Sequence, residues 1–248
     1  RSDRDWSSDV CSSDLNFPMT VTFYAGQLAD RIQPSLCDNG WIDGESYWCT
    51  SRLTAYDGVH FIGRLLSASV DLLSVLFTFM IGRRLYGKWA GLVAAFFMAT
   101  AVMAIQQSHF YTMDNWATLF TTISIYFAIR ASENSLNLGW WSLLGMSLGL
   151  AVASRINVAP VALSAGVAGL VWLARRYQRN RKIYLLDNFG DFFWSRTGWF
   201  DFQTILIGGM IAALVSMFVF RLAMPYAFAD AQMAQDIAFQ QGRTATTF

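Results

Sequence analysis

Between two strongly apolar stretches lies a dense run of polar side chains: Gln106, Gln107, Ser108, His109, Tyr111, Thr112, Asp114 and Asn115. A connecting turn needs only a few Gly, Asn or Ser residues, so this run carries more chemistry than a turn requires. Two roles suit Asp114. It can be the first-turn acid of the following helix, favoured by the positive dipole end, or a supporting catalytic acid, because ionisable groups at membrane depth are functional candidates by default. His109 is either an interfacial polar residue or part of the same lining. Arg155, within SRINVAP, either snorkels to the headgroups or grips a phosphate bidentately, and Asn157 and Gln107 are placed with it as substrate-binding candidates. A carboxylate can serve a hydroxyl and a cation can hold an anion such as a phosphate, so together they could line a polar site at the membrane surface. Arg64 and Asp71 are seven residues apart. They therefore fall on one helix face and form a candidate polar network. A divalent metal is chemically possible at such acids, yet one aspartate is too little to assign it, and no cofactor is expected. No phosphate loop, GxGxxG, zinc spacing or nucleophile elbow accompanies these residues.

The elements that must position them are set by composition. The chain has 248 residues, 54% apolar and 14% charged, with a mean hydropathy of +0.34. A soluble globular chain carries about 25% charged residues, so the deficit argues against a soluble enzyme or a disordered chain. A net charge of +1 leaves no footprint for nucleic acid. Residues 89–113, 115–129, 134–154, 156–174 and 202–220 contain no Asp, Glu, Lys or Arg, and 65–82 is interrupted only by Asp71. About 20 apolar residues cross a hydrocarbon core of about 30 Å. Without alternation, their backbone groups can be satisfied only as helices. The expected fold is therefore an all-α polytopic integral membrane protein, with about six transmembrane helices at 60–81, 89–107, 113–130, 139–154, 157–174 and 203–221.

Strict alternation of these helices places Arg83, Arg84, Lys88, Arg130, Arg175, Arg176, Arg179, Arg181, Lys182 and Arg196 on one side, ten in all. Arg31, Arg52, Arg64, Arg155, Arg221 and Arg243 fall on the other. The positive-inside rule makes the richer side cytoplasmic. This puts 106–115 outside and 175–182 inside, in a multi-pass protein of the inner or plasma membrane. Residues 58–222 form the transmembrane domain. Within it, 183–200 mixes aromatics with Asp187, Asp191 and Arg196, which suits a cytoplasmic helix along the headgroups. Residues 223–248 begin an extracytoplasmic segment. Residues 16–57 read as part of the first extracytoplasmic loop, with a juxtamembrane helix over 16–30. Its Cys37 and Cys49 could pair outside the cytoplasm, a point that spacing alone leaves open. The run DWSSDVCSSDL at 5–15 reads as the in-frame translation of a sequencing adapter, an ordinary polar tail being the other reading. Residues 1–15 are accordingly set aside as non-native.

Three blocks follow one another in a familiar order: GRLLSASVDLLSVLFTFMIGRRLYGKWAGLVAAF, IQQSHFYTMDNWATLFTTISIYFAIRASE and LGMSLGLAVASRINVAP, with RLAMPYAFAD after the last helix. Together, over about residues 16 to 230, they resemble bacterial relatives of the protein O-mannosyltransferases, in the glycosyltransferase C superfamily. The resemblance implies an enzyme that moves a sugar from a polyprenyl-phosphate donor, with inversion, to an acceptor hydroxyl on a protein, lipid or glycan outside the cytoplasm. It matches Asp114 to the acid of the second external turn, His109 to the polar position beside it, and Arg155 to a basic residue near the lipid phosphate. It also places the general base in an acidic motif of the first external loop, ahead of NFPMTVTFYAGQLAD. The adapter-like run stands there, so the chain is expected to be an N-terminally truncated and inactive piece. A polytopic transporter or flippase for lipid-linked solutes, or a non-catalytic membrane scaffold, would explain the helices equally well. The transporter reading does not explain the long polar loop or the ordered blocks.

Overall fold

The computed structural model describes residues 17–39, 47–50, 56–110, 113–184 and 196–224, and among them every regular element is helical. In chain order these are α1 (Phe17–Asp38), α2 (Tyr47–Thr50), α3 (Tyr56–Tyr86), α4 (Lys88–Ala99), α5 (Val102–Phe110), α6 (Met113–Glu133), α7 (Leu138–Ser154), a 3₁₀ segment (Ile156–Ala162), α8 (Leu163–Tyr184) and α9 (Arg196–Ala223). The chain is an all-α membrane protein. Residues 1–16, 40–46, 51–55 and 185–195 lie outside the described residues, and so does most of 223–248.

The chain divides into two compact units, one holding the described residues up to Ile62 and from Phe220 onward, the other Gly63–Val219. In the first, α1 continues through Pro34 to Asp38, eight residues beyond the expected juxtamembrane helix. A disulfide joins Cys37 to Cys49, Gln33 Nε2 donates to the Trp48 carbonyl, and Trp48 packs edge-on against Phe61. The pairing that spacing left open is thus made, between the end of one helix and a one-turn helix.

The second unit carries the membrane helices. Among the described residues three helical stretches are long and apolar enough to span: Phe61–Tyr86, Ile156–Arg179 and Trp199–Ala223. The expected span 89–107 is instead broken. α4 ends at Ala99, where Thr100 turns its hydroxyl back to the Phe96 carbonyl at 2.9 Å, and α5 restarts at Val102. Twelve residues of α4 rise only about 18 Å, short of a hydrocarbon core. α7, with 17 residues, is also short. α6 has 21 residues but holds Asp114, Arg130 and Glu133 near its ends. The expected span 157–174 begins as a 3₁₀ segment because Pro160 supplies no N–H, and residues 196–200, expected to lie along the headgroups, form the first turns of α9.

Several hydroxyls inside the apolar helices are satisfied locally. Ser69, Ser74 and Thr78 donate to the carbonyls of Leu65, Val70 and Ser74 at 2.9, 3.0 and 2.8 Å, as lipid requires. Among the described glycines Gly87 alone has a positive φ, 101°, and it turns α3 sharply into α4. The turn brings Gly91 so close to Gly82 that a Cβ on Gly82 would lie 2.8 Å from the Gly91 Cα. α7 is the hub. Asn137 caps its start by accepting from Gly139 N. On one side its Ser147 receives a buried hydrogen bond from Ser124 of α6 at 3.0 Å. On the other side Gly145 and Gly149 let α9 approach backbone to backbone: a Cβ at Gly145 would lie 2.8 Å from the Ala212 Cα, and one at Gly149 2.6 Å from the Ser216 carbonyl oxygen. Small residues four apart let helices associate in lipid by close packing where no hydrophobic force separates protein from solvent. Trp141, 1% exposed, lies flat against Gly208 of α9 and donates its Nε1–H to the Ser135 carbonyl and hydroxyl at 3.2 and 3.3 Å.

Candidate active site

α6 starts at Met113, so Asp114 sits in its first turn, where the helix dipole favours an acid. α7 ends at Ser154, and the extended backbone of Arg155 (φ −157°) links it to the 3₁₀ segment. α6 and α7 run antiparallel and make extensive contact, so the start of one lies beside the end of the other. There Arg155 Nη1 and Asp114 Oδ1 form an ion pair. The two residues that the sequence assigns to separate tasks are direct partners.

The pair is open to its surroundings, with 51% of the Arg155 side chain and 31% of the Asp114 side chain exposed. A guanidinium has five N–H donors and one carboxylate cannot use them all, so the outward edge of Arg155 can take a phosphate oxygen while the inward edge is held by Asp114. Asn157 lies two residues on, exposed on the 3₁₀ segment, and Gln106 is exposed on α5. The side chains of Gln107 and His109 lie outside the described residues, although the backbone of both belongs to α5.

Asn115, next to the acid, points the opposite way. It is buried and donates from Nδ2 to the buried Ser67 hydroxyl of α3 at 2.8 Å. That bond fixes the rotation of the first turn of α6, and hence the direction of Asp114. Such interhelical bonds in membranes are worth about 0.6 kcal/mol on average and under about 2. Asn115→Leu should therefore lower thermal stability in detergent by no more than that. Unchanged melting would show that this bond does not fix the turn. Arg64 and Asp71 flank Ser67 on the same helix. Arg64 is exposed and Asp71 half-buried, and among the described residues no ion pair joins them.

At the opposite helix ends the sequence reading missed three contacts. Arg84 grips Glu133 with Nε 2.8 Å from both carboxylate oxygens, Arg130 lies 4.3 Å over the Trp140 ring, and Arg176 Nε donates to the buried Asp201 at 3.1 Å. Arg130 also comes within 4.0 Å of Glu133, three residues on, which was the local signal; the Arg84 and Arg176 partners are 49 and 25 residues away. Every one of these contacts joins residues that strict alternation puts on one side. Among the described residues no three His, Cys, Asp or Glu side chains converge as a metal site would need.

The helices and the exposed ion pair at their ends define a polytopic all-α membrane protein with an acid–cation site at one surface. Residues 47–189 match the family model for dolichyl-phosphate-mannose-protein mannosyltransferase, and the chain belongs to that family. It is a membrane glycosyltransferase of the mannosyltransferase type. The matched stretch holds Asp71, His109, Asp114, Arg155 and Asn157 but stops before α9. No curated protein and no solved structure matches the chain.

Proposed function

We propose that this protein transfers a sugar, with inversion, from a polyprenyl-phosphate donor to an acceptor hydroxyl on the extracytoplasmic face of the cell membrane. The observation that carries the reading is the exposed Asp114–Arg155 pair. Arg155 holds the donor phosphate and stabilises the anion as the sugar leaves, with Asn157 and Gln107 adding hydrogen bonds. Asp114 aims and partly neutralises the guanidinium, and His109, near the end of α5, is the second supporting residue of this reading. A carboxylate already engaged by a guanidinium positions rather than abstracts, so deprotonation of the acceptor hydroxyl belongs to a different acid. The acceptor is a protein, as the family name suggests, or a lipid or glycan hydroxyl.

The test is donor choice and stereochemistry in membranes holding the full-length enzyme. A polyprenyl-phosphate-linked mannose should serve as donor, a nucleotide-linked mannose should not, and the anomeric configuration should invert. Use of the nucleotide sugar, or retention, would overturn the proposal. The topology is tested separately. Gln178 and Gln106 are both exposed, so an introduced cysteine should react with impermeant reagent from inside at 178 and from outside at 106. Outside labelling at 178 would reverse the assignment.

A further inference from the structure

At the end of the helices away from Asp114, a cavity of about 430 Å³ opens between α6 and α8. Ile125 and Ile129 of α6, Val167 and Val171 of α8, and Leu85 at the end of α3 make its wall apolar, and Arg175 is the one charged residue of that lining. Along α8 it extends from Ser164 to Arg175, a rise of about 16 Å. This is about half of a 30 Å hydrocarbon core, the depth of one leaflet. Asp114 and this groove lie at opposite ends of α6, so the inference does not rest on the transfer chemistry proposed above.

We infer that this groove seats an acyl chain of an anionic phospholipid, with its phosphate held by Arg175. The narrow apolar wall, about 16 Å long from Ser164 to Arg175, suits a single extended chain. Charge selects the headgroup. Three arginines near these helix ends are engaged within the protein, Arg84 by Glu133, Arg130 over Trp140 and Arg176 by Asp201, and the exposed Arg83 and Arg179 do not line the groove. Arg175 is exposed, and among the described residues no carboxylate pairs with it. An apolar protein partner would cover the wall and leave that charge without a counter-ion. A lipid whose chain lies along Val167 and Val171 presents its phosphate at the mouth, where Arg175 stands. The Lys and Arg bias makes this the cytoplasmic leaflet, whose anionic lipids attract such residues.

The probe is phosphatidylglycerol carrying a photoreactive diazirine on one acyl chain, in nanodiscs of otherwise unlabelled phosphatidylcholine that hold the full-length protein. Irradiation should attach the label to α6 or α8 between Ile125 and Arg175, and the equivalent phosphatidylcholine probe should label this stretch much less. Arg175→Gln should reduce phosphatidylglycerol labelling about fivefold, the weight of one basic residue at a membrane surface. Val171→Trp fills the groove without changing charge and should abolish labelling there while labelling elsewhere persists. If Val171→Trp fails to fold, Val167→Phe serves the same purpose. Equal labelling by the two lipids, or labelling indifferent to both variants, would overturn the inference. So would a cross-link from the groove wall to a protein segment in place of lipid.

Discussion

Arg155→Gln is expected to cut turnover with a polyprenyl-phosphate-linked mannose by about a hundredfold or more, the loss seen when one preorganised donor to a developing anion is removed. Arg155→Lys keeps the charge and can still reach the interface, but an ammonium cannot hold Asp114 on one edge and a phosphate on the other as a planar fork does. Lys should therefore recover only part of the rate and raise the donor concentration needed for half-maximal turnover. Folding should barely respond. The pair is half-exposed, and such ion pairs contribute about 0.2–1 kcal/mol. Asp114→Asn leaves a polar first turn but frees the guanidinium, so it should lower turnover while Arg155→Gln in the same chain adds little further. Donor titrations on the single and double variants decide this. A silent Arg155→Lys with a mild Arg155→Gln would mean that the residue only snorkels, and additive losses would mean that the two residues act apart.

The largest effect on stability is expected at Trp141. Its indole is fully buried, rests on the bare backbone of Gly208 and donates to Ser135. Trp141→Ala should destabilise by about 3–5 kcal/mol, because the rigid contacts between α7 and α9 at Gly145 and Gly149 prevent collapse around the void. Trp141→Phe fills much of the space but strands the Ser135 acceptors, and should lose about 1–3 kcal/mol. Chemical unfolding in detergent micelles measures both. A loss below about 1 kcal/mol for Trp141→Ala would show that the α7–α9 contact does not depend on the indole.

Much of this protein is legible in its sequence for one physical reason: a bilayer punishes every exposed charge and every unsatisfied backbone group. Charge-free runs had to become helices, and membrane character and helix order followed from counting. The ordered blocks around Asp114 and Arg155 carried the family as well. Length was harder. The Thr100 break and the 3₁₀ start at Ile156 depend on local hydrogen bonding that a charge-free run does not reveal. Partnership was not readable at all. Nothing local tells Asp114 that Arg155 is its counter-ion, or Arg84 that Glu133 is. These pairs exist because antiparallel packing of α6 on α7, and of neighbouring helix ends, brings together residues far apart in the chain. The glycines of α7 mark a close contact only once Ala212 and Ser216 of α9 are seen against them. The sequence by itself determined that the chain crosses a membrane and which side chains could do chemistry there. Which of them meet was decided only by tertiary packing, because coupling between charges falls with distance in space and not with separation along the chain.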